Sequence, residues 1–426
     1  MNLGPGRRRT RALHRGAFLV LALAAPSSGG AATLEVPGGF PTIQAAIDAA
    51  GQGDTIRVAP GTYFENLRID GKRVVLQSRF VASRDPSDVA ATVIDGGGGG
   101  ADCSAVVCIA SSVGSGATIQ GFTLQNAEDG VAARGPLEFL DGRIWDTEDG
   151  LDLDTTTAVV RDSLFDHNSD DGIDLDHEVA AVIERNRIVD NGNDGIEIRL
   201  HDFTGAPLAI EIRDNRIQGN EEDGIQLIDY DTPTPRTLRI ERNVLADNLE
   251  AGLGMMCCGE TDEDFSGAPI DEPVLLVGNS FVRNDHGLVG GARVTALNNL
   301  FAGNQVLAVK NTARDSVVAY SLFFANGADM ADSNLAPGTS LFADPLLGPD
   351  FAPAAGSPAI DAGTAHFEVG GQVVLDLEPS AYEGAAPDLG AIEFVPEPGP
   401  LASAAALAWV ARLSAARARA ARRRRA

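Results

Sequence analysis

The middle of the chain repeats one phrase, an Asn followed four residues later by Gly, then Ile or Leu, then a short alternating strand. It reads Asn168-Ser-Asp-Asp-Gly172-Ile-Asp-Leu, Asn191-Gly-Asn-Asp-Gly195-Ile-Glu-Ile and Asn220-Glu-Glu-Asp-Gly224-Ile-Gln-Leu, with a degenerate copy at Asn248-Leu-Glu-Ala-Gly252-Leu. Five residues before each Asn stands another small polar residue, at Ser163, Asn186, Asn215 and Asn243, and the register continues through Asn279/Asn284, Asn299/Asn304 and Ser321/Asn326. The glycines Gly130, Gly150, Gly172 and Gly195 lie 20, 22 and 23 residues apart. That period is too short for paired helices or a propeller blade and suits one turn of a solenoid. Within each unit, runs such as Ala181-Val-Ile-Glu and Ile196-Glu-Ile198 alternate apolar and polar residues, the signature of strands. Coils of short strands bury their inward side chains only by stacking on the next coil. The fold class this predicts is all-β, a parallel β-helix over residues 33–330.

The Asn-x-Ile…Asn…Gly-Ile-x-Leu unit resembles the repeat of right-handed parallel β-helix proteins, the pectate-lyase-like superfamily. The opening Phe40-Pro-Thr-Ile-Gln-Ala-Ala-Ile-Asp-Ala-Ala50, followed by Asp54-Thr-Ile-Arg-Val-Ala-Pro-Gly-Thr-Tyr63, is similar to the start of many such proteins. Physically it reads as a short amphipathic helix with Ile43 and Ile47 on one face, then a strand and a turn. A helix there would cover the open edge of the first coil. Leu341-Phe-Ala-Asp-Pro345-Leu, Gly356-Ser-Pro-Ala-Ile-Asp-Ala-Gly363 and Asp388-Leu-Gly-Ala-Ile-Glu393 resemble the choice-of-anchor Q region. That resemblance implies a C-terminal cap over 331–394 and a surface address.

The two ends read as targeting segments. Residues 1–32 carry five arginines, an apolar run and small residues ending at Ala31-Ala32, which predicts a secretory signal peptide. Residues 395–426 hold Val395-Pro-Glu-Pro398-Gly, an apolar run and a final arginine cluster, similar to the Pro-Glu-Pro sorting tails of exported bacterial proteins. Its apolar run falls short of the ~20 residues of a membrane span, which favours processing by sorting machinery over a permanent anchor. Without residues 1–32 and the tail from Gly399, which hold twelve arginines and no acids, the formal charge moves from −27 to −39. Nucleic acid is thereby excluded as a partner, and a polyanionic glycan would need bridging cations. Four cysteines in an exported chain permit disulfides among Cys103, Cys108, Cys257 and Cys258; three pairings are possible and Cys103 with Cys108 is preferred. The chain is expected to be a monomer.

Candidate chemistry lies on the strands after the glycines. There the first and third residues should face inward and the second and fourth outward. The outward pairs are Ala132/Arg134, Asp152/Asp154, Asp174/Asp176, Glu197/Arg199, Gln226/Ile228 and Gly254/Met256, so acids concentrate on three successive coils. Carboxylates one rung apart, at about 4.8 Å, need a counter-charge. Arg199 could supply part and a calcium ion held by Asp152, Asp154, Asp174 and Asp176 the rest. The later glycine intervals lengthen to 29, 28 and 35 residues, with the extra length after each strand: His201 to Pro207, Asp229 to Pro235, and Met255 to Pro273. Stacked insertions would wall a groove whose binding residues are Glu197, His201, Asp202, Gln226, Asp229, Tyr230 and Asp231. The Asp-Gly pairs at Asp129, Asp149, Asp171, Asp194 and Asp223 read as turn chemistry, and the Asn positions as ladders satisfying backbone groups.

Gly172-Ile-Asp-Leu-Asp-His-Glu178 also resembles the Asp-Pro-His-Glu motif of mannuronan C5-epimerases, with Asp174 matching its Asp; Asp176 stands where that family has His, and His177 is one residue late. The catalytic candidates are therefore Asp174, Asp176, His177 and Arg199, the last as base in a lyase. The expected function is an exported surface or matrix protein that binds extracellular polysaccharide; the alternative is a polysaccharide lyase or uronate C5-epimerase.

Overall fold

The computed structural model describes residues 30–230, 234–257 and 267–396. Within them the chain winds as a right-handed parallel β-helix, each coil built from three short strands. One coil comprises Ala180–Glu184, Arg187–Val189 and Ile196–Leu200; the next comprises Leu208–Arg213, Arg216–Gln218 and Ile225–Asp229. Successive coils pair in parallel and in register, Ile173 with Ile196 with Ile225 and Asp174 with Glu197 with Gln226. One wall alone stacks twelve strands. Inward positions carry Leu151, Ile173, Ile196, Ile225 and Leu253, all fully buried in one continuous core. Later coils add the stacked rings of Phe281, Phe301 and Phe323, at 4.8 and 5.2 Å.

The repeated Asn residues occupy the two bends of each coil. The residue before each one takes a left-handed conformation, as at Arg185 (φ 56), Asp190 (φ 57), Asp214 (φ 58) and Asp247 (φ 58), and so turns the chain sharply. The Asn then points inward and binds its counterpart on the next coil. The backbone N and Nδ2 of Asn186 both donate to Asn215 Oδ1, at 2.9 and 3.1 Å, and those of Asn191 to Asn220 Oδ1 at 3.2 and 3.0 Å. These ladders run on through Asn299 and Asn326. Buried polar groups at the bends are thus satisfied by identical groups one rung away, as expected.

The Asp-Gly pairs do something other than turn chemistry. Gly150, Gly172, Gly195 and Gly224 are absent from the left-handed region. A Cβ on Gly195 would lie 2.6 Å from the carbonyl oxygen of Gly224, and one on Gly172 would lie 2.7 Å from that of Gly195. Glycine recurs because adjacent coils approach too closely there for any side chain. The preceding aspartates form a third ladder: Asp194 N donates to Asp171 Oδ1 at 2.8 Å, and Asp223 N to Asp194 Oδ1 at 2.7 Å.

At the N-terminal end the helix Ile43–Ala49 buries Ile43, Ala46 and Ile47 over the first coil. Thr42 caps it, its Oγ1 accepting from Ala45 N at 3.1 Å. At the other end the β-helix passes 330, with a last rung at Leu341–Phe342 pairing Leu322 and Phe323. The segment expected to cap that end instead folds back along the flank. Phe351, Ala359 and Leu389 bury Val244, Val282, Leu300 and Leu322, and Ala391 N donates to Ser280 Oγ at 2.9 Å. The reason is the outward row of the short middle strands, where arginine at Arg187 and Arg216 gives way to Val244, Leu300 and Leu322. Cys103 and Cys108 are disulfide-bonded, as preferred. Cys257 is disulfide-bonded too, while Cys258 lies outside the described residues, as do most of the expected signal peptide and sorting tail. Among the described residues no helix is long and apolar enough to cross a membrane.

Candidate functional site

The strands after the glycines carry the acids in two rows. Asp152, Asp174, Glu197 and Gln226 are aligned across four coils, with Asp154 and Asp176 in the row beside them. The rows differ in burial. Asp174, Glu197 and Gln226 are 5, 1 and 0% exposed, so this row is covered and not open to solvent as the alternation implied. Glu197 and Gln226, expected to bind substrate, present no surface to a ligand. Asp154, Asp176 and Arg199 remain partly exposed.

Arg199 is the hub. Its Nη1 donates to Asp174 Oδ2 at 2.9 Å and Asp176 Oδ1 at 3.3 Å, and Nη2 pairs with Glu197. Burial alone would lower its pKa, but Asp174, Glu197 and Asp176 together raise it above its ordinary value. Three carboxylates thus hold its guanidinium in the charged form. It acts as the internal counter-ion that the three carboxylates required. Burial pushes Asp174 up to about 9 despite Arg199, and Glu197 up to about 7. The buried Oδ1 of Asp174 meets no hydrogen-bond partner in the protein.

Of the four residues expected to hold a metal, Asp152, Asp174 and Asp176 bring carboxylate oxygens within 4.8 Å of one another. Asp154 turns aside. It accepts from Arg134 Nε at 3.0 Å and lies 3.3 Å from His177 Nδ1. Burial raises the Asp154 pKa, but hydrogen bonds from Thr155 and Arg134 and the charge of His177 bring the net shift below the ordinary value. A cleft of 520 Å³ opens beside Asp152, lined by Arg68, Asp102, Glu128, Asp129 and Arg134.

His177 does not join Asp174. It sits one position past the strand in a left-handed conformation (φ 54), and its ring stacks on His201 at 4.2 Å. His201 in turn stacks on Tyr230 at 3.9 Å. Three rings from three successive coils thus form a column beside Asp176, whose Oδ1 is 3.9 Å from His201 Nε2. Burial lowers the His201 pKa, favouring the neutral imidazole, and raises that of Tyr230. The insertions do meet at this edge: Asp202 is exposed and Asp229 partly so, while Asp231 lies outside the described residues.

One residue at the site was invisible in the sequence. Arg236, 2% exposed, reaches under the column and donates to the backbone carbonyls of His201, at 2.8 Å, and His177. Phe203 packs on its guanidinium at 4.5 Å, and Thr234 accepts from Nη1 at 2.8 Å. Nothing in the repeat pattern marks an arginine at the start of a strand as buried. Only its place after Pro235, at the end of an insertion, distinguishes it.

A family model described as NosD, periplasmic copper-binding protein, matches residues 92–321, more than half of the chain. No curated protein matches the chain. Among solved structures, pectate lyase Pel9A is similar at 14% identity with a TM-score of 0.49, covering 85% of this chain and 96% of its own. The A-module of the Azotobacter vinelandii mannuronan C-5 epimerase AlgE6 is similar at 16% identity and a TM-score of 0.47, covering 70 and 93%. An alginate lyase from Paenibacillus sp. is similar at 13% identity and a TM-score of 0.35, covering 73 and 99%.

Proposed function

The chain belongs to the NosD family, described as periplasmic copper-binding protein, and on that premise we propose that it is an exported β-helix protein whose face from Asp152 to Tyr230 binds carbohydrate. The observation that carries the reading is Arg199 clasped by Asp174, Asp176 and Glu197 beside the column of His177, His201 and Tyr230. Arg199 offsets the acids internally, so the face offers hydrogen-bonding edges with a weakened repulsive field, next to aromatic rings. Those are the groups that hold a polyhydroxylated chain in place. Export is supported by the family description and by the Cys103–Cys108 disulfide, which persists in oxidising compartments. Sorting through the Pro-Glu-Pro tail remains a proposal from the sequence.

Calcium belongs to the reading as the ion for Asp152, Asp174 and Asp176. Arg199 already occupies two of these three, so calcium would compete with it and bind more tightly in Arg199→Ala than in the native protein. The reading is tested by calorimetric titration with neutral and uronate oligosaccharides, with and without calcium. Saturable binding that Asp176→Ala weakens is expected; affinity unchanged in both Asp176→Ala and Tyr230→Ala would overturn it.

A lyase or epimerase reading has one observation in its favour. His201, held toward neutral imidazole by burial and stacked on Tyr230, is a candidate base beside Arg199. Incubation with uronate polymers should then generate unsaturated chain ends or a changed epimer ratio, both lost in His201→Gln. Their absence from the native protein leaves the binding reading alone.

A further inference from the structure

We infer that the cleft at the N-terminal end of the acidic face binds the ammonium group of an amino sugar, with Asp129 and Asp152 as its anions. The inference rests on the carbohydrate reading and names the kind of sugar this end of the face would take. The cleft itself follows from side-chain size along one outward row. Arg68, Cys108, Ala132 and Asp152 are aligned on four successive coils. Between the arginine and the aspartate the row holds only a cysteine and an alanine, so the surface drops away there. The disulfide from Cys108 to Cys103 ties down the loop 100–104, which forms a wall of the cleft. The space enclosed is 520 Å³, within the range of small-ligand sites.

Its charge selects a cation. The two arginines at its edge are already paired, Arg68 with Asp70 at 3.1 Å and Arg134 with Asp154 at 3.0 Å. Asp102, Glu128, Asp129 and Asp152 line the same space and make no ion pair among the described residues. Asp129 stands out among them. It is 8% exposed and heads the row of aspartates whose later members serve the main chain, as where Asp149 Oδ1 accepts from Asp171 N at 3.0 Å. The carboxyl of Asp129 has no such partner and faces the cleft. A buried polar group left unpaired is the exception in a folded protein, and a donor from a ligand would satisfy this one. Burial, with Asp152, Asp149, Glu128 and Glu148 nearby, pushes the Asp129 pKa up to about 8. A cation seated in the cleft supplies the counter-charge that this surrounding lacks.

Size and donor geometry then favour an organic cation over a bare ion. Asp129 does not converge with two other ligand residues within 4.8 Å among the described residues, and a single ion would fill little of the space. An ammonium group offers three donors, and the sugar ring that carries it can rest its C–H face on Ala132 and the disulfide.

The test is calorimetric titration of the full chain, with a chelator present so that calcium does not occupy Asp152. The probes are a glucosamine tetramer, its fully N-acetylated counterpart, which lacks the charge, and tetralysine, which has the charge without the sugar. Saturable binding of the glucosamine tetramer is expected, about tenfold or more tighter than either of the others. Asp129→Asn should weaken it about tenfold, and Ala132→Leu, which fills the cleft without changing its charge, should do the same. Asp350→Asn, the same charge change at an exposed position beside Arg216, should leave it unaltered. Thermal melts establish that the variants fold. No saturable site in the native protein, equal affinity for the acetylated tetramer or for tetralysine, or native affinity in both folded cleft variants would overturn the inference. Binding of neutral or uronate oligosaccharides without binding of the glucosamine tetramer would overturn it while leaving the wider carbohydrate reading in place.

Discussion

Arg199 donates to Asp174 at 2.9 Å while Asp174 itself is driven toward its protonated form by burial. The ion pair and the raised pKa are two results of the same covered row. Removing Arg199 leaves Asp174, Asp176 and Glu197 within a few ångströms of one another without a cation. Arg199→Met should cost about 3 kcal/mol at neutral pH. The folded pKa values of Asp174 and Glu197 are raised, so their native forms bind protons that the unfolded chain gives up above about pH 4. Stability is therefore fullest below that point and is lost as pH rises through about 7 and then about 9. The deficit of Arg199→Met should shrink on acidification, as urea unfolding at two pH values will show; a deficit independent of pH contradicts the assignment.

The aspartate ladder makes a second pH-dependent claim. Burial, with Asp171 and Asp223 on either side, raises the Asp194 pKa well above the ordinary value. Asp194 Oδ1 still accepts from Asp223 N, which needs no negative charge. Asp194→Asn keeps that acceptor and removes the titration. It should raise the melting temperature at about pH 8 and leave it nearly unchanged at about pH 3, where the unfolded carboxyl is also largely protonated.

The asparagine ladder predicts cooperative loss. Asn220 Oδ1 accepts from Asn191 N and Nδ2, and Asn220 Nδ2 donates to Asn248 Oδ1 at 2.9 Å. Asn220→Ala strands buried groups on both neighbouring coils and should destabilise by about 2–4 kcal/mol. Denaturant unfolding measures this, and Asn220→Asp should fare little better because the Nδ2 donor is gone.

Gly195→Ala tests why glycine recurs. The added methyl would lie 2.4 Å from Ile217 and 2.6 Å from the Gly224 carbonyl, and a backbone contact cannot move aside as a side-chain tip can. A loss of about 2–3 kcal/mol is expected. Gly338→Ala, with open space around it but a left-handed φ of 71, should cost about 1 kcal/mol, and the contrast separates packing from backbone preference.

Arg236→Met should leave the core intact and free the loops that carry His177 and His201. Loss of exchange protection confined to residues around 177 and 201–207 is the expected outcome, read by hydrogen exchange. Protection lost across the whole β-helix would mean that Arg236 serves general stability instead.

The repeat by itself determined the coil, its strands and the places where asparagine must recur. Inward alternation and stacked bends depend on spacing alone, and spacing is visible in a sequence. The same pattern located the acid-bearing strands and put Asp174, Asp176 and Arg199 in reach of one another. It could not show that Asp174, Glu197 and Gln226 are covered, because burial depends on what lies over a row and not on the row's period. It offered Arg199 both as part of the counter-charge and as a base; that one guanidinium pairs with three carboxylates at once is decided by the packing around it. The column joins His177, just past its strand, to His201 and Tyr230 from insertions on the next two coils, with Arg236 at the start of the strand that follows one of them. Only stacking those coils about 4.8 Å apart brought them together.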